Sequence, residues 1–489
     1  MRFVRSLLTQ VFDYGRYRRM RQPVSRALAH FVGRCLPIGA VGFLLIIPGL
    51  ATAQNFKSTY PRIGAIEIGS WREALDPEYR QVLAQHDIMI LGYWRDWRGN
   101  DVVTNEVLTL RDVVVDIKQR AAAMGNSEIL VGKYTVYNES GSNPDAVASR
   151  DKWDKLHNEV GPGYRINNDW WARNSDGENT SSWRGSWNTN VTEYVTRDSN
   201  GDYWPEWAAN RDYELYFRDI PELDIWFIDN WFYRPRVDAD WDGDGINDDP
   251  KSESLGRAFR HGHMNAVRRI RQLAPNIIVM GNAGGGDPYN NKGMMTDPEY
   301  KGQLTALYQA AIGKSHSTET WGTWEAMMKQ YQTTLSNAQH RVLLMSVNGE
   351  ATDYATMRYG LTSCLLDDGY YYYTTHEKEN RSGLWFDEYD VDLGLAIDPP
   401  QFEPWQNGVY KRRFQYGIAL VNPKGNGRKT IQVEPGYRRI LGTQDSLTNN
   451  GQAVNSITLA ERDGIILIRD EIPDEKPRPK APVLSATTD

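Results

Sequence analysis

Ile225-Trp226-Phe227-Ile228-Asp229-Asn230-Trp231 is the stretch from which the rest of the chain is read. Its apolar residues run without alternation, as they do in a parallel strand covered on both faces. Similar short runs occupy 62–68, 88–94, 129–134, 277–282, 342–347 and 370–375. An eighth strand is placed by position alone at 315–320, where the sequence is polar. Helical patterns over 107–124, 254–273, 323–338 and 353–366 lie between strands, and Pro275-Asn276 ends the second of them. Strand and helix alternating eight times predict an α/β chain folded as a (β/α)8 TIM barrel. The rival is an open doubly wound sheet, but no G-x-G-x-x-G follows a strand, and Gly284–Gly286 lacks that spacing.

Outward from the strands, 489 residues are too many for one ordinary core. Beyond Gly408 the pattern changes to short β-like runs at 417–421, 430–433, 438–440 and 464–468, punctuated by Gly, Asn and Pro. The expected division is a signal peptide at 1–53, a barrel at 54–395, a small all-β C-terminal domain at 396–471 and a disordered tail at 472–489 rich in Pro and charge. In the first segment eight Arg precede the apolar stretch from Leu36 to Leu50, and Ala51-Thr52-Ala53 suits a small-residue cleavage site. A membrane anchor is the alternative. The apolar run falls short of the roughly 20 residues that span a bilayer, so cleavage and a secreted or periplasmic protein are expected, with no stable membrane insertion.

Without that segment the net charge of −7 becomes −14, which disfavours nucleic acid as a partner. Cys35 lies in the signal and leaves Cys364 alone, so no internal disulfide is available. Seventeen Trp and 27 Tyr admit two readings, a Trp-rich core or aromatic platforms for sugars. Trp153, Trp170, Trp171, Trp183, Trp187, Trp204 and Trp207 crowd the long connection 138–224, which leaves the C-terminal end of the third strand. In barrels that end carries the active site.

The strand ends to inspect are therefore Glu67, Trp94 with Asp96, Tyr134, Asp229, Asn282, Glu319, Asn348 with Glu350, and His376 with Glu377. Hydrolysis of a glycosidic bond needs two carboxyls, one protonated and one acting as nucleophile or base. Asp229 ends an apolar strand, where a carboxylate is costly without a partner or a task; a partnered structural Asp is the plainer reading. Glu319 stands beside Trp321, whose indole would desolvate it and favour the protonated form. Asp229 is expected as nucleophile or base and Glu319 as acid, with Glu350 and Glu67 in reserve. Trp94, Trp97, Tyr134, Trp171, Trp231, Asn282, Trp321 and Asn348 are the expected substrate contacts along an open groove.

Asp240-Trp-Asp242-Gly-Asp244-Gly245-Ile246-Asn247-Asp248 follows the first nine positions of a calcium loop, but Lys251 stands where an EF-hand has Glu. A structural calcium held by Asp240, Asp242, Asp244, the Ile246 carbonyl and Asp248 is expected; an acidic surface turn is the alternative. Asp198-Ser-Asn200-Gly-Asp202 is a shorter echo. His261-Gly-His263 reads as structural, and no organic cofactor, nucleophile elbow or P-loop is indicated.

Phe227-Ile-Asp-Asn-Trp231, Gly281-Asn-Ala283, Trp385-Phe-Asp-Glu-Tyr-Asp-Val-Asp-Leu-Gly394 and the segment Tyr410–Pro423 resemble the hypothetical glycoside hydrolase family 15, distant relatives of the endo-α-1,4-polygalactosaminidase-type barrels. The resemblance covers about 60–470. It implies a TIM barrel with a small β domain acting on polysaccharide, an Asp at the fourth strand matching Asp229, and a Glu at the sixth, for which Glu319 fits best. The calcium-like loop lies outside that pattern. A non-catalytic glycan-binding barrel is the competing function. A deacetylase or esterase is disfavoured, because neither a metal-binding His set nor a Ser elbow is found.

Overall fold

The computed structural model describes residues 56–68, 71–92, 98–141, 168–182, 186–231, 234–282, 310–313, 323–337, 342–375 and 383–470. The expected signal and tail therefore lie outside the described residues. The described residues belong to one compact unit.

Eight parallel strands form one sheet in chain order. They are β1 (Gly64–Glu67), β2 (Ile88–Leu91), β5 (Leu130–Val136), β8 (Ile225–Asp229), β9 (Ile278–Asn282), β10 (Ala310–Gly313), β11 (Val342–Gly349) and β12 (Tyr370–Thr375). Two antiparallel pairs are interposed, β3 (Arg98–Asn100) with β4 (Val107–Thr109), and β6 (Glu139–Gly141) with β7 (Ser186–Asn188). A parallel bridge joins Ile63, just before β1, to Tyr371 of β12. Burial explains the unbroken apolar runs. In β8 Ile225, Trp226, Phe227 and Ile228 are all buried, each worth about 1.5–3 kcal/mol of transfer free energy.

The sixth strand corrects the expectation. It is Ala310–Gly313, paired with β9 and β11, and lies before the stretch 315–320, which falls outside the described residues. The short run Ala310-Ala311-Ile312 is apolar but too small to stand out against its surroundings. The expected helices appear as Leu110–Ala123, Glu253–Leu273, Trp324–Asn337 and Tyr354–Cys364. The first starts at a capping box: Thr109 accepts from the Asp112 amide, and the Asp112 side chain accepts from the Thr109 amide.

Residues 410–469 form a five-stranded antiparallel sheet in the order β13 (Tyr410–Arg413), β14 (Gly417–Asn422), β17 (Asp463–Arg469), β15 (Lys429–Arg439) and β16 (Ala453–Leu459). β13 and β16 were not expected from sequence, and two expected runs merge into β15 across a register shift between Gln432 and Tyr437. This sheet is fastened to the helix Tyr354–Cys364. Buried Arg358 donates to Asp445 Oδ2 at 2.5 Å, Asp463 Oδ1 at 3.3 Å and the Gly464 carbonyl at 3.2 Å. Gly464 lies so close to this helix that a Cβ there would fall 1.9 Å from Thr362 Oγ1.

The Trp question divides. Trp170, Trp204, Trp226, Trp231, Trp241 and Trp324 are core residues, and Trp226 stacks on Phe217 at 3.9 Å. Trp171 is half-buried and meets Trp187 edge-on at 5.4 Å.

Candidate active site

Register places the groups around Asp229. β5 pairs with β8 so that Tyr134 faces Phe227 and Val136 faces Asp229. Side chains two apart on a strand share a face. Tyr134, Phe227 and Asp229 therefore lie on one side, with the Tyr134 and Phe227 rings 5.3 Å apart. Trp226 points to the other side, against Phe217 and Thr135. β8 and β9 pair Ile228 with Gly281, which sets Asn282 beside Asp229. The Tyr134 hydroxyl donates to Asp229 Oδ2, and Asn282 Nδ2 donates to Oδ1 at 2.6 Å. Both Asp229 oxygens therefore accept a hydrogen bond from a side chain on a neighbouring strand.

The structure brings a second carboxyl to this place, and sequence reasoning missed it. Glu139 lies three residues past the end of β5 and is 5 % exposed. Asn230 Nδ2 donates to its Oε1 at 2.5 Å, and Ser186 of β7 donates to Oε2 at 3.3 Å. Burial first, and then the neighbouring Asp229 charge, push the Glu139 carboxyl up to about 7. The Arg236 guanidinium opposes that rise, and burial in turn lowers Arg236 itself. Asn138, Glu139, Asn230, Arg236, Trp241 and Phe259 line one pocket here. The signal that would have found Glu139 is Tyr137-Asn138-Glu139 directly after an apolar strand; reading that strand as ending at Tyr134 concealed it.

The other expected residues fall as follows. Glu319, Trp94, Trp97 and Trp321 lie outside the described residues, as do Asp96, His376 and Glu377. Glu67 ends β1, is 0 % exposed and accepts from the Tyr79 hydroxyl at 2.6 Å. Glu350 is exposed, one residue past β11, and Asn348 is half-buried within β11. Trp231 is a correction. It is 0 % exposed and packs on the His263 ring at 4.5 Å, so it belongs to the core and offers no indole face to an open groove. His263, expected from sequence to be structural, is buried. It lies within the helix Glu253–Leu273, where Gly262 admits the Val191 carbonyl to a place only 1.7 Å from where a Cβ would stand.

In the acidic loop, Asp240, Asp242 and Asp244 can each offer an oxygen within 4.8 Å of the others. Asp240 accepts from the amides of Gly243 at 2.8 Å, Asp244 at 2.9 Å and Gly245 at 2.9 Å, and Asp248 accepts from the Trp241 amide at 2.9 Å. Gly243 and Gly245 take positive φ to make the turn. The fold thus gathers three hard oxygen donors on one loop, the donor chemistry calcium uses. The echo at Asp198–Asp202 differs, because Asp202 is paired with Arg269 at 2.7 Å and Asn210 at 2.7 Å.

Residues 135–418 match the model of the hypothetical glycosyl hydrolase family 15. The chain belongs to that family and is classed with the glycoside hydrolases. The match spans the third-strand end, β8 and the acidic loop, and is narrower than the 60–470 read from sequence. No curated protein matches the sequence. Among solved structures, a β-L-arabinopyranosidase from Geobacillus stearothermophilus is similar at 10 % identity and a TM-score of 0.44, covering 86 % of this chain and 98 % of its own. An Anoxybacillus α-amylase is similar at 11 % identity and a TM-score of 0.42, covering 84 % and 98 %. The glycoside hydrolase domain of PelA from Pseudomonas aeruginosa is similar at 14 % identity and a TM-score of 0.35, covering 67 % and 98 %.

Proposed function

We propose that this chain is an exported glycoside hydrolase that cleaves a polysaccharide by a two-carboxylate mechanism. The observation that carries the reading is two carboxyls in unlike surroundings: Glu139 is buried, with its carboxyl pushed up to about 7 by burial and by Asp229, while Asp229 accepts from Tyr134 and Asn282. A buried carboxyl held protonated toward neutral pH is suited to the acid, and a neighbouring carboxylate that accepts two hydrogen bonds is suited to the nucleophile or base. In this mechanism Glu139 gives its proton to the glycosidic oxygen as the bond from C1 to that oxygen breaks. Asp229 either attacks C1 or takes a proton from the water that does. Water supplies the hydroxyl at C1, and the leaving sugar departs with the proton. Tyr134 and Asn282 orient Asp229 throughout.

The same reading takes the eight-stranded sheet as a closed (β/α)8 TIM barrel, supported by the Ile63–Tyr371 bridge, and residues 396–471 as a small β domain. Export rests on the Arg-rich, apolar N-terminal segment and its Ala51-Thr52-Ala53 end, and points to a secreted or periplasmic enzyme. The acidic mature chain suits a neutral or cationic polymer and not nucleic acid. One calcium, bound by Asp240, Asp242, Asp244, the Ile246 carbonyl and Asp248, stiffens the loop that follows β8. Its support is the carboxylate cluster and the DxDxDG spacing.

The test is digestion of a panel of polysaccharides by wild type, Asp229→Asn, Glu139→Gln and Glu319→Gln. Losses of several orders of magnitude in the first two variants, with Glu319→Gln active, assign the pair. Loss in Glu319→Gln with Glu139→Gln active moves the acid to the sixth-strand side. Binding without cleavage by wild type leaves a glycan-binding barrel in place of an enzyme.

A further inference from the structure

We infer that His263, Asn138 and Asn230 form a positioning relay that fixes the Glu139 carboxyl against Asp229. The inference rests on the reading of Glu139 as the acid, and it adds residues that act through the Glu139 carboxyl: Asn230 touches it directly, and Asn138 and His263 act through Asn230. The links are continuous. His263 Nε2 lies 2.5 Å from Asn138 Oδ1, Asn138 Nδ2 donates to the Asn230 carbonyl, and Asn230 Nδ2 donates to Glu139 Oε1 at 2.5 Å.

The direction of each bond follows from the chemistry. An Asn amide whose nitrogen serves a carbonyl must turn its oxygen to the other neighbour, so Asn138 accepts from His263. Burial pushes His263 down to about 3, so the ring is neutral near pH 7 and carries one proton. That proton sits on Nε2. Nδ1 is then the bare nitrogen, and among the described residues it has no hydrogen-bond partner. Trp231 at 4.5 Å and Phe259 at 4.7 Å hold the ring in this orientation.

The relay acts on a residue in an unusual backbone conformation. Asn230 adopts φ 54°, in the left-handed region that non-glycine residues rarely occupy. This conformation turns the chain directly after Asp229 and brings the Asn230 amide onto Glu139. The Asn138 bond to the Asn230 carbonyl holds that conformation in place. A rare conformation at an element end, held by surrounding bonds, marks sites built for a fixed geometry. The groups facing Glu139 are Asp229 of β8, Arg236 of the following loop, Ser186 of β7 and Asn230 itself.

Two substitutions at one position separate a relay from plain packing. His263→Phe keeps the aromatic contacts and removes the donor; His263→Gln keeps a donor and removes the ring. Glu139 is titrated by the infrared band of its protonated carboxyl, assigned by its absence in Glu139→Gln. Loss of the relay slackens the Asn230 bond that favours the charged form. The Glu139 midpoint then rises by about one pH unit in His263→Phe. In His263→Gln it stays at the wild-type value. An unmoved midpoint in His263→Phe, or an equal movement in both variants, overturns the relay. If neither variant folds by near-ultraviolet circular dichroism, Asn230→Gly decides. It accepts the same φ and lacks the amide, and an unmoved Glu139 midpoint there overturns the proposal. Failure of the functional reading is separate: it is equal hydrolysis of a polysaccharide by wild type and Glu139→Gln, whatever the titration gives.

Discussion

Glu139→Gln is expected to make the protein more stable, by an amount that grows between about pH 4.5 and about pH 7 and stays constant above that window. The Glu139 midpoint is about 7 in the folded protein against 4.5 for the free side chain. Between those values the folded state binds the proton more tightly than the unfolded chain does. Stability therefore falls as pH rises through that window. Below it both states are protonated and Glu139 costs nothing; above it the full cost of a buried, ionised carboxyl is present. At about 1.4 kcal/mol per pH unit the cost is about 3 kcal/mol, undiminished by solvent screening because the side chain is enclosed. Gln has the same shape, still accepts from Asn230 and cannot ionise. Urea unfolding of wild type and variant at about pH 4 and about pH 8.5 measures the difference, provided the slopes agree. The two should coincide at the lower pH, and the variant should gain about 3 kcal/mol at the higher. A difference independent of pH would refute the argument, because Glu139 would then not titrate in that window. The same variant should lose hydrolysis, so stability and activity move in opposite directions, as they do where a site is built at the expense of the fold.

Tyr134→Phe removes the donor on Asp229 Oδ2 and leaves the Phe227 contact, so kcat should fall about 10- to 100-fold with little change in Tm, measured on whichever polysaccharide the wild type cleaves. Removal of metal by a chelator should lower Tm, and restored calcium at 100 times its Kd should return about 2.7 kcal/mol, read by calorimetry; Asp242→Ala should abolish the response. Arg358→Ala strands the Asp445 and Asp463 carboxylates between the helix Tyr354–Cys364 and the C-terminal sheet, and should cost about 3–5 kcal/mol in denaturant unfolding.

Much of this molecule is written locally. A strand covered on both faces must be apolar along its whole length, so the runs at 225–228, 342–345 and 88–91 announce themselves without a partner in view. The helix spans follow from periodicity and caps, and Asp229 stands out because a carboxylate ends an apolar strand. The sixth strand was legible only through its partners: Ala310–Gly313 has one large side chain among two Ala and a Gly, too little to mark it as a strand, and β9 and β11 place it. The acid candidate was less legible still. The height of the Glu139 midpoint is set by burial under a loop and by Asp229 and Asn230, the latter 91 residues away in sequence, and no window around position 139 contains those neighbours. Trp231 shows the same division, since a Trp reads alike whether its indole faces a sugar or lies against the ring of His263. The sequence by itself determined seven of the eight strands of the parallel sheet, the four long helices, the acidic loop and Asp229, because hydrophobic burial and turn geometry depend on residues close along the chain. Only the tertiary structure decided which groups meet Asp229 and in what protonation state, because desolvation and Coulomb energy depend on distance in space.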